Sequence, residues 1–208
     1  MTVYIFGDSY GAISSRGKRY RAWFDMIEEP IVNKCKGSAS PYYCLRRLNE
    51  EIDNITENDK IVFIMGDKTR VDFPSVFILA SSDWMDIYPF FIILYLKYIS
   101  QKKKCKVIVF SAFESIKFDL KFLNPFYFNS NDFKVFDFDL FRISQEEFID
   151  EKYSQEIEEK RRCHLSYENH VVLFNIISNF FYDTSRSEIF HKNLYKTEGK
   201  KLEKFIYN

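Results

Sequence analysis

Two residues suited to acyl chemistry stand near opposite ends of this chain. Ser9 follows the run Val3-Tyr4-Ile5-Phe6 through Gly7-Asp8, and His164 lies in Cys163-His164-Leu165-Ser166, where the last amphipathic stretch begins. A serine hydroxyl is a weak nucleophile until a neighbouring base takes its proton, and histidine titrates in the right range to do so. Such a pair splits acyl transfer into two steps through an acyl-enzyme. Water as second acceptor gives an esterase, and a sugar hydroxyl gives an acyltransferase. The plainer reading of His164 is a capping or core histidine ahead of a helix. His170, inside that helix, reads as packed or surface, and His191 carries no signal of chemistry.

For Ser9 and His164 to meet, both must reach one edge of a sheet. The β-branched and aromatic run before Gly7 reads as a buried strand ending in a tight turn. In parallel α/β sheets, ligands bind just beyond the carboxyl ends of the strands, where Ser9 then stands. Further strands are expected at residues 30–35, 60–65, 106–110 and 133–138; the unbroken Ile61-Val62-Phe63-Ile64 is the clearest buried run. Helices are expected at 20–27, with Trp23, Phe24 and Ile27 inward, and at 42–55, with Leu45, Leu48, Ile52 and Ile55 inward and Arg46, Arg47, Glu50 and Glu51 facing water. A long apolar helix at 83–99 packs through Trp84, Ile87, Phe91, Leu94, Tyr95 and Tyr98, with a basic exit at 101–104 that suits a helix C-terminus. Ser144-Gln145-Glu146-Glu147 has the form of a capping box for a short helix. Ser166 caps the final helix, whose inward residues are Val172, Ile176, Ile177 and Phe180.

The remaining segments read as connections. Residues 10–21 form a basic loop (Arg16, Lys18, Arg19, Arg21), a solvated face or a receiver for an anionic substrate. Residues 71–82 suit a lid or insertion, 112–130 are aromatic and irregular, and 150–162 form a charged helix or flap. Residues 183–208 make a polar tail that packs on the domain of residues 1–182 or on a partner. Five strands alternating with helices imply a parallel sheet covered on both faces.

Gly7-Asp8-Ser9 after an N-terminal strand, together with His164-Leu165-Ser166 opening the last helix, resembles the first and final blocks of the SGNH (GDSL-type) hydrolases, over residues 2–182. The resemblance implies an α/β fold of three layers, α/β/α, on a flavodoxin-like five-stranded parallel sheet. It implies Ser9 as nucleophile, His164 as base, an oxyanion hole from the Ser9 and Gly37 amides, and Asp8 as structural support of the turn. Gly37 also reads as an ordinary turn glycine required for its backbone angles. Two positions depart from the family pattern. Lys68 follows Gly66-Asp67 where the third block shows asparagine, which leaves Lys68, Thr69 and Arg70 as candidate donors or substrate contacts. Arg70 equally reads as pairing with Asp67 or Asp72. Arg161 stands where the family places an aspartate three residues before the histidine, so the orienting group is a carboxylate from residues 150–159, or a backbone carbonyl in a Ser–His dyad.

Bulk properties narrow the partners. The chain has 208 residues, enough for one domain with a substantial core, and 30 basic residues balance 30 acidic ones, so no global field favours nucleic acid or an anionic membrane. The 23 phenylalanines and 14 tyrosines are spread throughout, which reads as compositional bias more than as a sugar-stacking platform. Cys35, Cys44, Cys105 and Cys163 lack metal-ligand spacing, so neither a metal nor a cofactor is expected. The apolar stretch at 89–96 falls short of the ~20 residues that span a bilayer, and no signal peptide is evident. A cytoplasmic protein with reduced thiols is the expectation, acting on a small-molecule or glycan ester, with a homo-oligomer open. Arg161 and Lys68 favour the alternative of a non-catalytic glycan- or partner-binding module. Nucleotide binding ranks third, since neither G-x-G-x-x-G nor G-x-x-x-x-G-K-[ST] is present.

Overall fold

A computed structural model describes residues 1–12, 22–67, 82–113, 129–148 and 165–194. The basic loop at 13–21, residues 68–81, 114–128, the charged stretch at 149–164 and the end of the tail from 195 lie outside this set. Five strands, β1 (Val3–Phe6), β2 (Ile31–Asn33), β3 (Lys60–Met65), β4 (Lys106–Ser111) and β5 (Phe133–Asp139), form one parallel sheet in the order β2-β1-β3-β4-β5. The alternation of elements predicts this parallel sheet, and its strand order is the flavodoxin-like one that the resemblance implies.

Alternation along the strands divides the core in two, because successive side chains leave a sheet on opposite faces. Val3, Ile5, Val62, Ile64, Ile108 and Phe110 face one layer, while Tyr4, Phe6, Ile61, Phe63, Val107 and Val109 face the other. Helices α1 (Pro41–Glu51) and α2 (Ser82–Lys103) cover the second face. Helices α3 (Leu140–Glu146) and α4 (Tyr167–Tyr182), with a 3-10 turn at Trp23–Met26, cover the first. The result is three layers. No described helix is long and apolar enough to cross a membrane.

Four expectations are corrected. The helix expected at 20–27 is, in its described part, only the 3-10 turn, closed by the Asp25 carboxylate accepting from the Ala22 amide at 2.9 Å and followed by extended backbone at Ile27. Helix α1 ends at Glu51 rather than Ile55; it begins on Pro41, with the Ser40 hydroxyl accepting from the Tyr43 amide at 3.0 Å. In α2 the buried stripe is Ile92, Ile93, Leu96 and Ile99, whereas Phe91 and Tyr98 are each 52% exposed. That helix is apolar on nearly every side, so hydrophobic periodicity does not select its inner face. Finally, α3 starts earlier than the expected capping box. Asp139 is its cap, accepting from the Arg142 amide, and Ser144 lies inside the helix, donating to the Phe141 carbonyl at 2.7 Å.

Helix α4 runs antiparallel to the strands. Lys106, at the start of β4, donates to the Phe180 and Phe181 carbonyls at its C-terminus, at 3.1 and 3.3 Å. After Asp183, in the left-handed region at φ 54°, the chain turns back along α4. Asparagine side chains hold it there as substitutes for a strand partner. The Asn179 amide donates to the Arg186 carbonyl and accepts from the Arg186 N–H, both at 2.8 Å. Asn169 does the same with His191, at 3.0 and 2.7 Å.

The start of the sheet is locked by Asp59, whose carboxylate accepts from the Thr2 amide at 2.7 Å and from the Thr56 amide and hydroxyl at 2.9 and 2.8 Å. Burial alone would raise this carboxyl, but the Thr56 and Thr2 donors outweigh it and hold it below the ordinary aspartate value. A depressed folded-state pKa gives stability that is complete above the unfolded value, near 3.9, and is lost as pH falls through the folded one. Urea unfolding of Asp59→Asn should therefore show a loss of about 1–2 kcal/mol at pH 7 that shrinks towards pH 3. An equal loss at both pH values would mean that the charge contributes nothing.

Candidate functional site

The carboxyl edge of the sheet gathers the N-terminal motif and the loop after β2. The parallel ladder between β1 and β2 continues past the strands: the Lys34 amide donates to Ile5 at 2.8 Å, and the Lys36 amide donates to Gly7 at 3.1 Å. Gly37 is thereby carried alongside the Gly7-Asp8-Ser9 turn. Asp8 is fully buried, and its Oδ1 accepts from the Tyr10 amide at 3.1 Å, an Asx turn that fixes the backbone on either side of Ser9.

The rest of the turn is equally constrained. Asp8 and Ser9 carbonyls accept from Gly11 and Ala12 at 3.2 and 3.3 Å, the Tyr10 carbonyl from the Trp23 indole at 2.9 Å, and the Gly11 carbonyl from Asn33 at 2.8 Å. Ser9 itself is half-buried. Among the described residues, its hydroxyl, its N–H and the Gly37 N–H take part in no protein hydrogen bond. Two unpaired groups of Ser9 thus sit on a turn held on both sides, with the unpaired Gly37 N–H on the loop alongside it.

Gly37 is exposed, and a Cβ placed on it would meet nothing within 4 Å. Its φ lies outside the left-handed region; Ser38, at φ 61°, is the left-handed residue of this loop. The expectation that the turn needs glycine at 37 for its backbone angles is therefore corrected. What glycine provides at 37 is open space in front of its amide.

The rim beside Gly37 is cationic. The Tyr43 ring, in the first turn of α1, is approached by the Lys36 ammonium at 5.2 Å and by the Arg46 and Arg47 guanidinium carbons at 5.4 and 5.2 Å. Arg47 is also paired with Glu50 at 2.6 Å.

Helix α4 brings its first turn to this same edge. Trp23, whose indole holds the Tyr10 carbonyl, donates its backbone N–H to His170 Nδ1 at 3.4 Å. His170 is fully buried, so it is a packed histidine that ties α4 to the Ser9 turn, with its proton on Nε2 in the tautomer that accepts at Nδ1. Ser166 caps α4 by accepting from the Asn169 amide at 3.1 Å. His164, two residues before that cap, lies outside the described residues, as do Lys68, Thr69, Arg70, Arg161 and the carboxylates at 150–159. His191 is exposed, and only its backbone is engaged, by Asn169.

One residue at this edge escaped the sequence reading. Glu147 is 0% exposed, and its Oε1 accepts from the Ser166 amide at 2.9 Å and from Asn169 Nδ2 at 2.7 Å. The signal was periodicity. Leu140, Ile143 and Glu147 recur at helical spacing, and an acid on the apolar face of a short helix needs a reason. The apparent capping box at 144–147 hid it by offering Glu147 a role at a helix N-terminus.

The sequence matches no protein-family model and no curated protein.

Proposed function

We propose that this chain is an SGNH-type serine ester hydrolase or O-acyltransferase acting on an acylated carbohydrate or another small ester. The observation that supports this most is the Ser9 turn. A nucleophile of this kind needs a free hydroxyl on a rigid backbone with unpaired amides nearby; the Ser9 hydroxyl and N–H and the Gly37 N–H make no protein hydrogen bond among the described residues, and the Lys36–Gly7 bond carries Gly37 alongside the turn.

In this reading the Ser9 hydroxyl attacks the acyl carbon while His164 takes its proton. The developing oxyanion is met by the Ser9 and Gly37 N–H groups, and preorganised donors of this sort supply roughly 3–4 kcal/mol each. Collapse expels the alcohol, protonated by His164, and leaves an acyl group on Ser9. Water or a sugar hydroxyl, activated by the same histidine, then releases it. Lys68, Thr69 and Arg70 follow β3 and are the candidates for a further donor or for substrate contacts.

Glu147 supplies the orienting carboxylate in place of the aspartate that Arg161 displaces. Ser166, which Glu147 binds, is two residues from His164, a chain span of at most about 7 Å. Its role is to hold the imidazole in the correct tautomer and to stabilise the imidazolium.

The test is hydrolysis of a short-chain aryl acetate together with fluorophosphonate labelling mapped by mass spectrometry. Wild type is expected to turn over and to label at Ser9. Ser9→Ala is expected to lose activity by on the order of 10^6-fold in kcat, and His164→Ala by a comparable factor, with unfolding curves unchanged. Well-folded wild-type protein that neither turns over nor labels would overturn the reading in favour of a binding module.

A further inference from the structure

The opposite edge of the sheet holds a cavity that the Ser9 site does not use. Its volume is about 460 Å³, within the range of small-molecule sites, and it lies between the segment leading into β2 and the C-terminal half of α4. Ile27, Phe174 and Tyr182 give it apolar and aromatic walls, and Ser178, Glu28 and Arg186 supply the polar groups.

The side chains of those polar groups have no hydrogen-bond or ionic partner among the described residues. Ser178 is 1% exposed, and its hydroxyl has no hydrogen-bond partner among the described residues. Glu28 and Arg186 carry opposite charges on the same cavity, yet no ion pair joins them, and neither side chain has another ionic partner among the described residues. The Arg186 guanidinium is instead stacked 5.2 Å from the Phe174 ring, with its backbone clamped by Asn179. That clamp fixes where the cation stands.

Neighbouring Glu29 shows what satisfaction looks like here. It pairs with Lys60 at 3.0 Å and accepts from the Tyr182 hydroxyl; burial would raise its carboxyl, but these two donors hold it below the ordinary value. Tyr182 is pushed up in turn, by burial first and then by Glu29 and Glu28. Glu29 is thus spent within the fold, and Glu28 is the carboxylate left for a ligand.

The geometry points to a binding site for a free zwitterionic amino acid with a large apolar side chain. Its ammonium group meets Glu28, its carboxylate meets Arg186, and its side chain lies between Ile27, Phe174 and Tyr182. A single small molecule with both charges bridges two groups that the protein itself leaves apart, and charge-assisted contacts of this kind are the strong ones. Neutral ligands would leave Glu28 and Arg186 as they are.

The probe is L-phenylalanine, followed by isothermal titration calorimetry on the full chain, with L-phenylalaninamide, N-acetyl-L-phenylalanine and glycine as comparisons. Saturable binding of L-phenylalanine is expected, with each of the other three weaker by about tenfold or more. Arg186→Gln should erase the preference for the acid over the amide, and Glu28→Gln the preference for the free amine over its acetyl form. Both side chains are exposed, so circular dichroism should show both variants folded. Ser9→Ala should bind as wild type does, which separates this site from the ester chemistry. Absence of saturable heat with L-phenylalanine, or equal affinity for the amide and acetyl forms, would overturn the assignment.

Discussion

Glu147→Gln is expected to leave the protein folded and to lower kcat for ester hydrolysis by about 10^4-fold, the scale seen when an orienting carboxylate becomes an amide. Glutamine keeps an oxygen where Glu147 Oε1 accepts from Ser166 and Asn169, so both buried donors stay satisfied. What it removes is the negative charge, together with the second acceptor oxygen. Without that charge the imidazolium of His164 is less favoured, and the ascending limb of the kcat–pH profile should move to lower pH. Glu147→Ala is a different experiment. It leaves the Ser166 amide and Asn169 Nδ2 without their acceptor in a site of 0% exposure and opens a void beside them, at about 3 kcal/mol by chemical denaturation. Asn169 also holds His191, so loss of the carboxyl should loosen residues 183–194 as well. Full activity in the glutamine variant would confine Glu147 to a structural role and leave the Ser9–His164 reading to stand on a dyad.

The strands were legible because their physics is local and redundant. Lys60–Met65 and Lys106–Ser111 are buried throughout or nearly so, and continuous β-branched runs can satisfy a sheet covered on both faces with little else. Helix caps with a single candidate acceptor were legible too, as at Ser166. Where two solutions compete, local reading chose the wrong one. Ser144-Gln145-Glu146-Glu147 satisfies a capping pattern, but Asp139 five residues earlier takes the first-turn amide, and the end of β5 dictates that choice. Phe91 and Tyr98 belong to the packed face that the sequence predicts for α2, yet that helix has more apolar residues than one buried face can take. At the site, Ser9 could be named because it follows a strand, and Gly37 only through what the family resemblance implies. Glu147 could not, because its partner Ser166 is 19 residues away and the contact exists only once α3 and α4 share a layer.

Gly66→Ala should be the most destabilising single-methyl change at this edge. A Cβ at Gly66 would overlap the Ala39 carbonyl oxygen, with the Ala39 carbonyl carbon at 3.2 Å and the Ser40 carbonyl carbon at 3.5 Å. These are backbone atoms, so no side-chain rotation relieves the overlap. Ala39 is held by its N–H donating to the Lys36 carbonyl at 3.1 Å, and Ser40 by its role as the cap of α1. Relief therefore requires the loop at 37–40 to lift from the end of β3, or β3 itself to shift within the sheet. Overpacking of this kind costs about 3 kcal/mol, which for a chain of this size lowers Tm by roughly 10 °C. Because Gly37 shares the displaced loop, kcat should fall along with stability, and KM should change less. Gly37→Ala is the matched control: its Cβ would meet nothing within 4 Å, so stability should stay within about 0.5 kcal/mol of wild type while turnover falls if the acyl group approaches that amide. Equal stability of the two variants would mean that Gly66 and Ala39 are not in contact, and the route by which β3 positions the Gly37 amide would be lost with it.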